Sequence, residues 1–206
     1  MAFVKEGIIL KVDLPIILGF AAIIAICGCI GEDNDSTSAS IKKEVSEGPI
    51  NETLGPYAIS IKAKEFAVTG KNTTTGNPYY LTLTETGKEN QLIIGLKEEI
   101  RPDKSSDRYS SLMSSLSNMA FNLGLFKAGV VRNWVDRIYI QGNEAYIGSR
   151  NKKWEEVDYT IVAYYPRNDT KLTAIGYFPD EHDNVFSKKS EKRIQDILNH
   201  TYVSKA

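Results

Sequence analysis

From residue 57 onward the chain alternates hydrophobic and polar positions in twos, and twice it switches to helical spacing. Tyr57, Ile59, Ile61 and Ala63 alternate with Ala58, Ser60, Lys62 and Lys64, which predicts a half-buried strand over Tyr57–Lys64. Lys71–Pro78 (KNTTTGNP) predicts a long turn, and Tyr79, Leu81 and Leu83 against Tyr80, Thr82 and Thr84 a second strand. After the turn residues Gly87–Asn90, the apolar run Gln91–Leu96 predicts a third. Over Ser105–Ala128 the period lengthens, and Tyr109, Leu112, Met113, Leu116, Met119, Ala120, Leu123 and Phe126 share one helical stripe. Ser106 or Asp107 stands where a cap is wanted and Gly129 where a helix ends.

The second half repeats the scheme. Strands are predicted over Val131–Gln141, Glu144–Ser149, Trp154–Tyr165 and Leu172–Phe178, with turns at Gly142-Asn143 and Pro166–Lys171. In the long strand Val157, Tyr159, Ile161, Ala163 and Tyr165 share a face. A closing helix over Phe186–Tyr202 turns Phe186, Ile194, Ile197 and Leu198 inward and Lys188, Lys189, Lys192 and Arg193 outward. The order predicts an α+β domain over residues 56–206, an antiparallel sheet of six to seven strands with two helices packed on one face.

A different pattern stands at the front. Leu14–Ile30 is an apolar run of 17 residues that turns abruptly acidic at Gly31. As a helix it would span roughly 26 Å, short for a hydrocarbon core of about 30 Å and suited to an export signal. Its end, Ile26-Cys27-Gly28-Cys29, resembles a lipobox, which implies lipidation at Cys29 and a domain held outside the cytoplasm at the cell membrane. An uncleaved N-terminal anchor is the alternative, because Lys5 and Lys11 are offset by Glu6 and Asp13.

Composition extends this division. Both cysteines lie in the front segment, so the domain uses no disulfide or thiol chemistry. Residues 31–55 are rich in Ser, acids, Gly and Pro and poor in aromatics, which predicts a disordered polar tether. The net charge of −1 conceals an acidic stretch at residues 31–53 and a domain of about +3, too dispersed to predict nucleic-acid binding.

The succession IYIQGNEAY, VDYTIVAYY, KLTAIGYF and IQDILNHTY, over roughly Ile138–Val203, about a third of the chain, resembles the second half of PsbP-like domains. Leu172, Ile175 and Tyr177 fall on the family's third-strand pattern, and Ile197, Leu198 and Tyr202 on that of its closing helix. The Pro-x-x-Trp of the family's opening strands is missing. The resemblance implies an antiparallel sheet with helices packed against it, in an extrinsic assembly or docking protein rather than an enzyme.

Candidate chemistry is sparse. His182 and His200 are far apart and lack the Cys or His companions of a zinc site, so no metal and no cofactor is predicted. Asp180, Glu181 and Asp183 share a loop that suggests calcium but lacks the grammar of a calcium loop, and the acids there also suit a helix N-terminus. Ser110, Ser111, Ser114, Ser115 and Ser117 form a small polar helix face without a G-x-S-x-G elbow, which reads as a solvated surface. Asn-x-Ser/Thr triplets at Asn34, Asn51, Asn72, Asn168 and Asn199 are candidate glycosylation sites. Alternation places Tyr80, Tyr139 and Tyr164 opposite their strands' core positions, a candidate interface for a protein partner at the membrane. The function these readings favour is a non-catalytic, membrane-tethered binding or assembly module; a surface hydrolase or small-ligand-binding lipoprotein is the alternative.

Overall fold

Ten strands and two helices follow one another in the computed structural model, which describes residues 48–73, 78–124, 135–152, 157–179 and 188–206. The strands are β1 (Ile50–Leu54), β2 (Tyr57–Ile61), β3 (Phe66–Asn72), β4 (Tyr79–Glu85), β5 (Gln91–Glu98), β6 (Val135–Ile140), β7 (Asn143–Lys152), β8 (Val157–Arg167), β9 (Thr170–Tyr177) and β10 (Thr201–Lys205). Helix α1 spans Ser105–Asn122 and α2 spans Lys188–Asn199. The strands form an antiparallel seven-stranded sheet, β3-β4-β5-β9-β8-β7-β6, and a three-stranded sheet, β1-β2-β10. The α+β class and the strand number of the main sheet agree with the periodicity.

Both faces of the large sheet are covered at its centre, so the two helices do not share one face as the pattern suggested. On one face Leu81, Leu83, Leu92, Ile94, Leu96, Val162, Tyr164, Leu172 and Ala174 pack against Tyr57, Ile59 and Ile61 of the small sheet and Ile194, Ile197 and Leu198 of α2. Each such aliphatic side chain contributes about 1.5–3 kcal/mol on leaving water. On the other face α1 lies over β7 and β8 and buries Leu112, Leu116, Met119 and Ala120. Residues 160–165 of β8 are therefore buried in an unbroken run, and so is most of β9, which is why alternation alone could not assign their faces.

Several boundaries move for identifiable reasons. Ile50–Leu54, read as tether, is an edge strand paired residue by residue with β2, and Leu54 is fully buried. Phe66–Asn72 is a strand where Lys71 and Asn72 were read as turn; its polar sequence suits an edge, and its ladder to β4 shifts register between Val68 and Gly70. The predicted Pro166–Lys171 turn shrinks to Asn168-Asp169 between β8 and β9. Helix α1 starts after Lys104, with no side-chain cap from Ser106 or Asp107. Gly124, at φ 68°, follows its last turn and donates its N–H to the Phe121 carbonyl. Gly129 lies outside the described residues. Thr201 and Tyr202, read as the end of the closing helix, instead open β10, which joins β2 as a strand.

Gln141 explains where α2 stops. It holds a left-handed φ of 51°, and its Nε2 donates to the carbonyls of Leu198, Asn199 and Thr201 at 3.3, 3.2 and 2.7 Å. The β6–β7 turn thus satisfies the carbonyls that a helix end leaves open and lets the chain turn into β10.

Candidate functional site

The structure does not bring the three candidate interface tyrosines together. Tyr80 and Tyr139 point to the α1 side of the large sheet and Tyr164 to the other, as the β4–β5, β6–β7 and β7–β8 registers require. Tyr164 is fully buried in the main core, and its hydroxyl has no partner there; burial pushes that hydroxyl well above the usual tyrosine range. Tyr80 is 8 % exposed because its ring crosses the neighbouring strand at Gly95, where a Cβ would come within 3.0 Å of it. Neither can serve as an open contact. Tyr139 is 57 % exposed and pairs in register with Glu144. Near it, Tyr146 Oη donates to Glu144 at 2.8 Å, Arg108 and Arg137 approach the same carboxylate at 3.5 and 3.7 Å, and Tyr109 meets Tyr146 edge-on at 5.3 Å.

The densest polar cluster joins α1 to the sheet. Glu99, just past β5, receives the Ser111 hydroxyl at 2.7 Å, the Tyr165 hydroxyl at 2.6 Å and the Lys171 ammonium at 2.8 Å on one oxygen. Lys171 also lies 2.7 Å from the other oxygen. Ser111 and Tyr165 are themselves 2.8 Å apart, so two hydroxyl hydrogens serve three contacts. Partial burial pushes the Glu99 carboxyl up, but Lys171, Tyr165 and Ser111 outweigh it and hold it at about 2. Burial and the bond to Glu99 push the Tyr165 hydroxyl up to about 12. For Lys171, burial works against the charge and Glu99 for it, with burial ahead. At 2.7 Å from a carboxylate this acidic, the ammonium keeps its proton at neutral pH.

That arrangement holds a Ser, a Lys and a Tyr within reach of one another, the raw material of nucleophilic catalysis. Its charges run the wrong way for it. A Ser–Lys pair needs a neutral lysine to take the serine proton, and here the nearest amine is 3.5 Å away and held charged. The cluster acts as a clasp that seats α1. Sequence reading missed it: its members are spread from Glu99 to Lys171, and Ser111 was one of a run of serines.

A second carboxylate fastens α2. Glu85 at the end of β4 takes Arg193 Nη2 and Asn90 Nδ2 at 2.7 Å each and Lys88 Nζ at 2.6 Å. Burial pushes the Glu85 carboxyl up, and Lys88, Asn90 and Arg193 more than reverse this, so it sits below the usual range. The Arg193 guanidinium lies 5.2 Å from the ring centres of both Phe66 and Phe178. Arg193 was expected on the outer face; it is turned inward. Beside it a shallow groove of about 590 Å³ runs along α2, lined by Lys62, Glu65, Lys189, Lys192, Arg193, Asp196, Ile197 and His200. His200 is exposed, and its Nδ1 lies 2.8 Å from the Asp196 carbonyl.

Asn51, Asn72 and Asn168 are exposed on β1, β3 and the β8–β9 turn. Asn199 is half-buried, and its side-chain oxygen accepts the Gln141 N–H at 3.0 Å, which ties it down. Cys29, Asn34, His182 and the Asp180–Asp183 loop lie outside the described residues. Among the described residues no three His, Cys, Asp or Glu side chains are placed to hold a metal ion, and no helix is long and apolar enough to cross a membrane. In comparisons with known proteins the sequence matches no family model and no curated protein.

Proposed function

We propose that the chain is a membrane-tethered extracytoplasmic lipoprotein whose α+β domain, of PsbP-like type, serves as a binding or assembly module rather than a catalyst. The observation that carries the reading is the front segment: an apolar run ending in Ile26-Cys27-Gly28-Cys29, then a polar stretch, then a domain whose first strand begins at Ile50. For the domain type, support comes from the four segments that resemble PsbP-like proteins. They fall on consecutive elements, the β6–β7 pair, β8, β9, and α2 with β10, in the order the resemblance implies. Of the tyrosines first considered for partner contact, Tyr139 is the one a partner can reach.

The test is the intact mass of protein extracted from membranes. A mature chain beginning at Cys29 and carrying a diacylglyceryl group is expected; an N-terminus at Met1 or Ala2 would overturn the lipoprotein. Capture of a membrane-side partner weakened by Tyr139→Ala, with folding retained, is the corresponding result for the binding module; turnover in a hydrolase screen would overturn it.

A further inference from the structure

Four exposed lysines without an ion pair among the described residues gather at the end of the domain at which the chain arrives. Ile50, the first residue of β1, pairs with Ile61, and so does Thr201, the first residue of β10. The Lys62 N–H donates to the His200 carbonyl at 3.1 Å. Ile50, Lys62 and His200 therefore lie abreast at one end of the small sheet, and the α2 groove begins there. Lys189, Lys192, Arg193, Asp196 and His200 recur three and four residues apart, so they form one stripe of α2, with Lys62 and Glu65 on the facing wall.

Charge in this region divides into a spent part and a free part. Arg193 is committed to Glu85 at 2.7 Å and to Glu65 at 3.6 Å. Lys62, Lys64, Lys189 and Lys192 are all exposed, and none makes an ion pair among the described residues. Two acids line the groove, Glu65, which Arg193 approaches at 3.6 Å, and Asp196. The four exposed ammonium groups outnumber them and ask for an anionic partner.

We propose that this basic end docks on the anionic lipid headgroups of the membrane to which the chain is anchored, which fixes the orientation of the domain at the surface. The inference rests on the tethered reading above. Two observations select the membrane as occupant. One is the sign of the patch. The other is the position of the tether, which enters the domain beside the patch. About twenty residues separate Cys29 from Ile50; under the tethered reading a segment of that length has an rms reach of roughly 25 Å, which would keep the lysines within about that distance of the headgroups. At so high an effective concentration weak attraction suffices. Each lysine near an anionic surface favours the docked state by about fivefold at physiological salt.

The test uses the full chain purified from membranes and reconstituted in vesicles, with a fluorophore attached through His200→Cys and a nitroxide quencher on the lipid headgroup. Quenching is expected in vesicles with about 30 mol% anionic lipid and not in zwitterionic ones. About 0.5 M salt is expected to relieve it. Combining Lys62→Gln, Lys64→Gln, Lys189→Gln and Lys192→Gln is expected to lower the docked-to-free ratio more than about tenfold. These positions are exposed, so the variant is expected to keep its fold; the salt arm tests the same attraction on the unaltered lysines. Equal quenching in both lipid mixtures, or no response to salt and to the four substitutions while the protein still floats with the vesicles, overturns the docking surface and leaves the anchor standing. Failure to float with zwitterionic vesicles overturns the anchor itself, and the docking proposal with it. Binding to a soluble polyanion without lipid-dependent quenching assigns the patch to a different partner and overturns the membrane as occupant.

Discussion

Helices α1 and α2 are each fastened to the large sheet through one carboxylate on or beside its strands, but the helices bring different groups to the two clasps. At α2 the helix brings a charge: Arg193 reaches down to Glu85, whose side chain is 6 % exposed and which Lys88 also meets. At α1 the sheet supplies it: Lys171 of β9 neutralises Glu99, and the helix adds only the Ser111 hydroxyl. Removing a helix residue from the first clasp strips a buried carboxylate of a charge partner. Removing one from the second leaves the ion pair whole. Clasps of similar geometry should thus fail very differently.

The sharpest break in the comparison is Arg193→Met. It takes one cation from a nearly fully buried Glu85, leaving Lys88 and Asn90, and it removes the guanidinium from between Phe66 and Phe178. A loss of about 3 kcal/mol is expected, seen as a fall of roughly 10 °C in Tm. A change under about 2 °C would show that α2 is held by Ile194, Ile197 and Leu198 alone.

Glu99→Gln probes the α1 clasp from the sheet side. It leaves Lys171, 9 % exposed, without its counter-charge and is expected to cost about 2 kcal/mol at neutral pH. Because the folded-state pKa of Glu99 is depressed to about 2, its contribution is complete above the unfolded value near 4.5 and is lost as pH falls toward 2. The gap in denaturation midpoint between wild type and Glu99→Gln should therefore narrow as pH drops from about 5 to about 2.5. The residual acid lability of the variant is then expected from Glu85 and Asp169, which are lowered in the same direction. A gap that stays constant over that range would mean that Glu99 works through packing.

How far the pattern reached follows the same division. Strands and helices with one buried face, such as β2, β4 and α1, are legible because their period records that face. The doubly covered β8 was legible as a strand but not in its faces: Tyr164 reads as the polar-side neighbour of Ile161, Ala163 and Tyr165, while the structure buries it in the main core and buries those three as well. Edge strands β1 and β3 escaped because pairing, not burial, makes them strands, and pairing leaves little mark on composition. The clasps escaped for a further reason. Glu85 and Arg193 are 108 positions apart, and nothing near Arg193 on α2 sets it apart from Lys189 and Lys192 until the partner is seen. Gln141 is similar: its left-handed turn beside Gly142 was readable as a turn, but its role in ending α2 depends on a contact across the fold.

The smallest effect expected is that of Ser111→Ala, which probes the α1 clasp from the helix side. Glu99 keeps Lys171 on both oxygens, and Tyr165, no longer sharing its hydrogen with Ser111, gives it wholly to the carboxylate. Ser111 is half-buried, so the groups it leaves can be met by water. The cost should stay under about 1 kcal/mol, a Tm shift of about 2–4 °C at most. The same substitution separates a clasp from an active site. A serine activated by Lys171 would react with a fluorophosphonate probe and lose that labelling in Ser111→Ala. With the Lys171 ammonium bound to Glu99, Ser111 has no base to take its proton, and the wild-type protein should remain unlabelled at neutral pH. Labelling at Ser111 would mean that Lys171 leaves Glu99 in solution, and the α1 clasp would then be a resting state of something reactive.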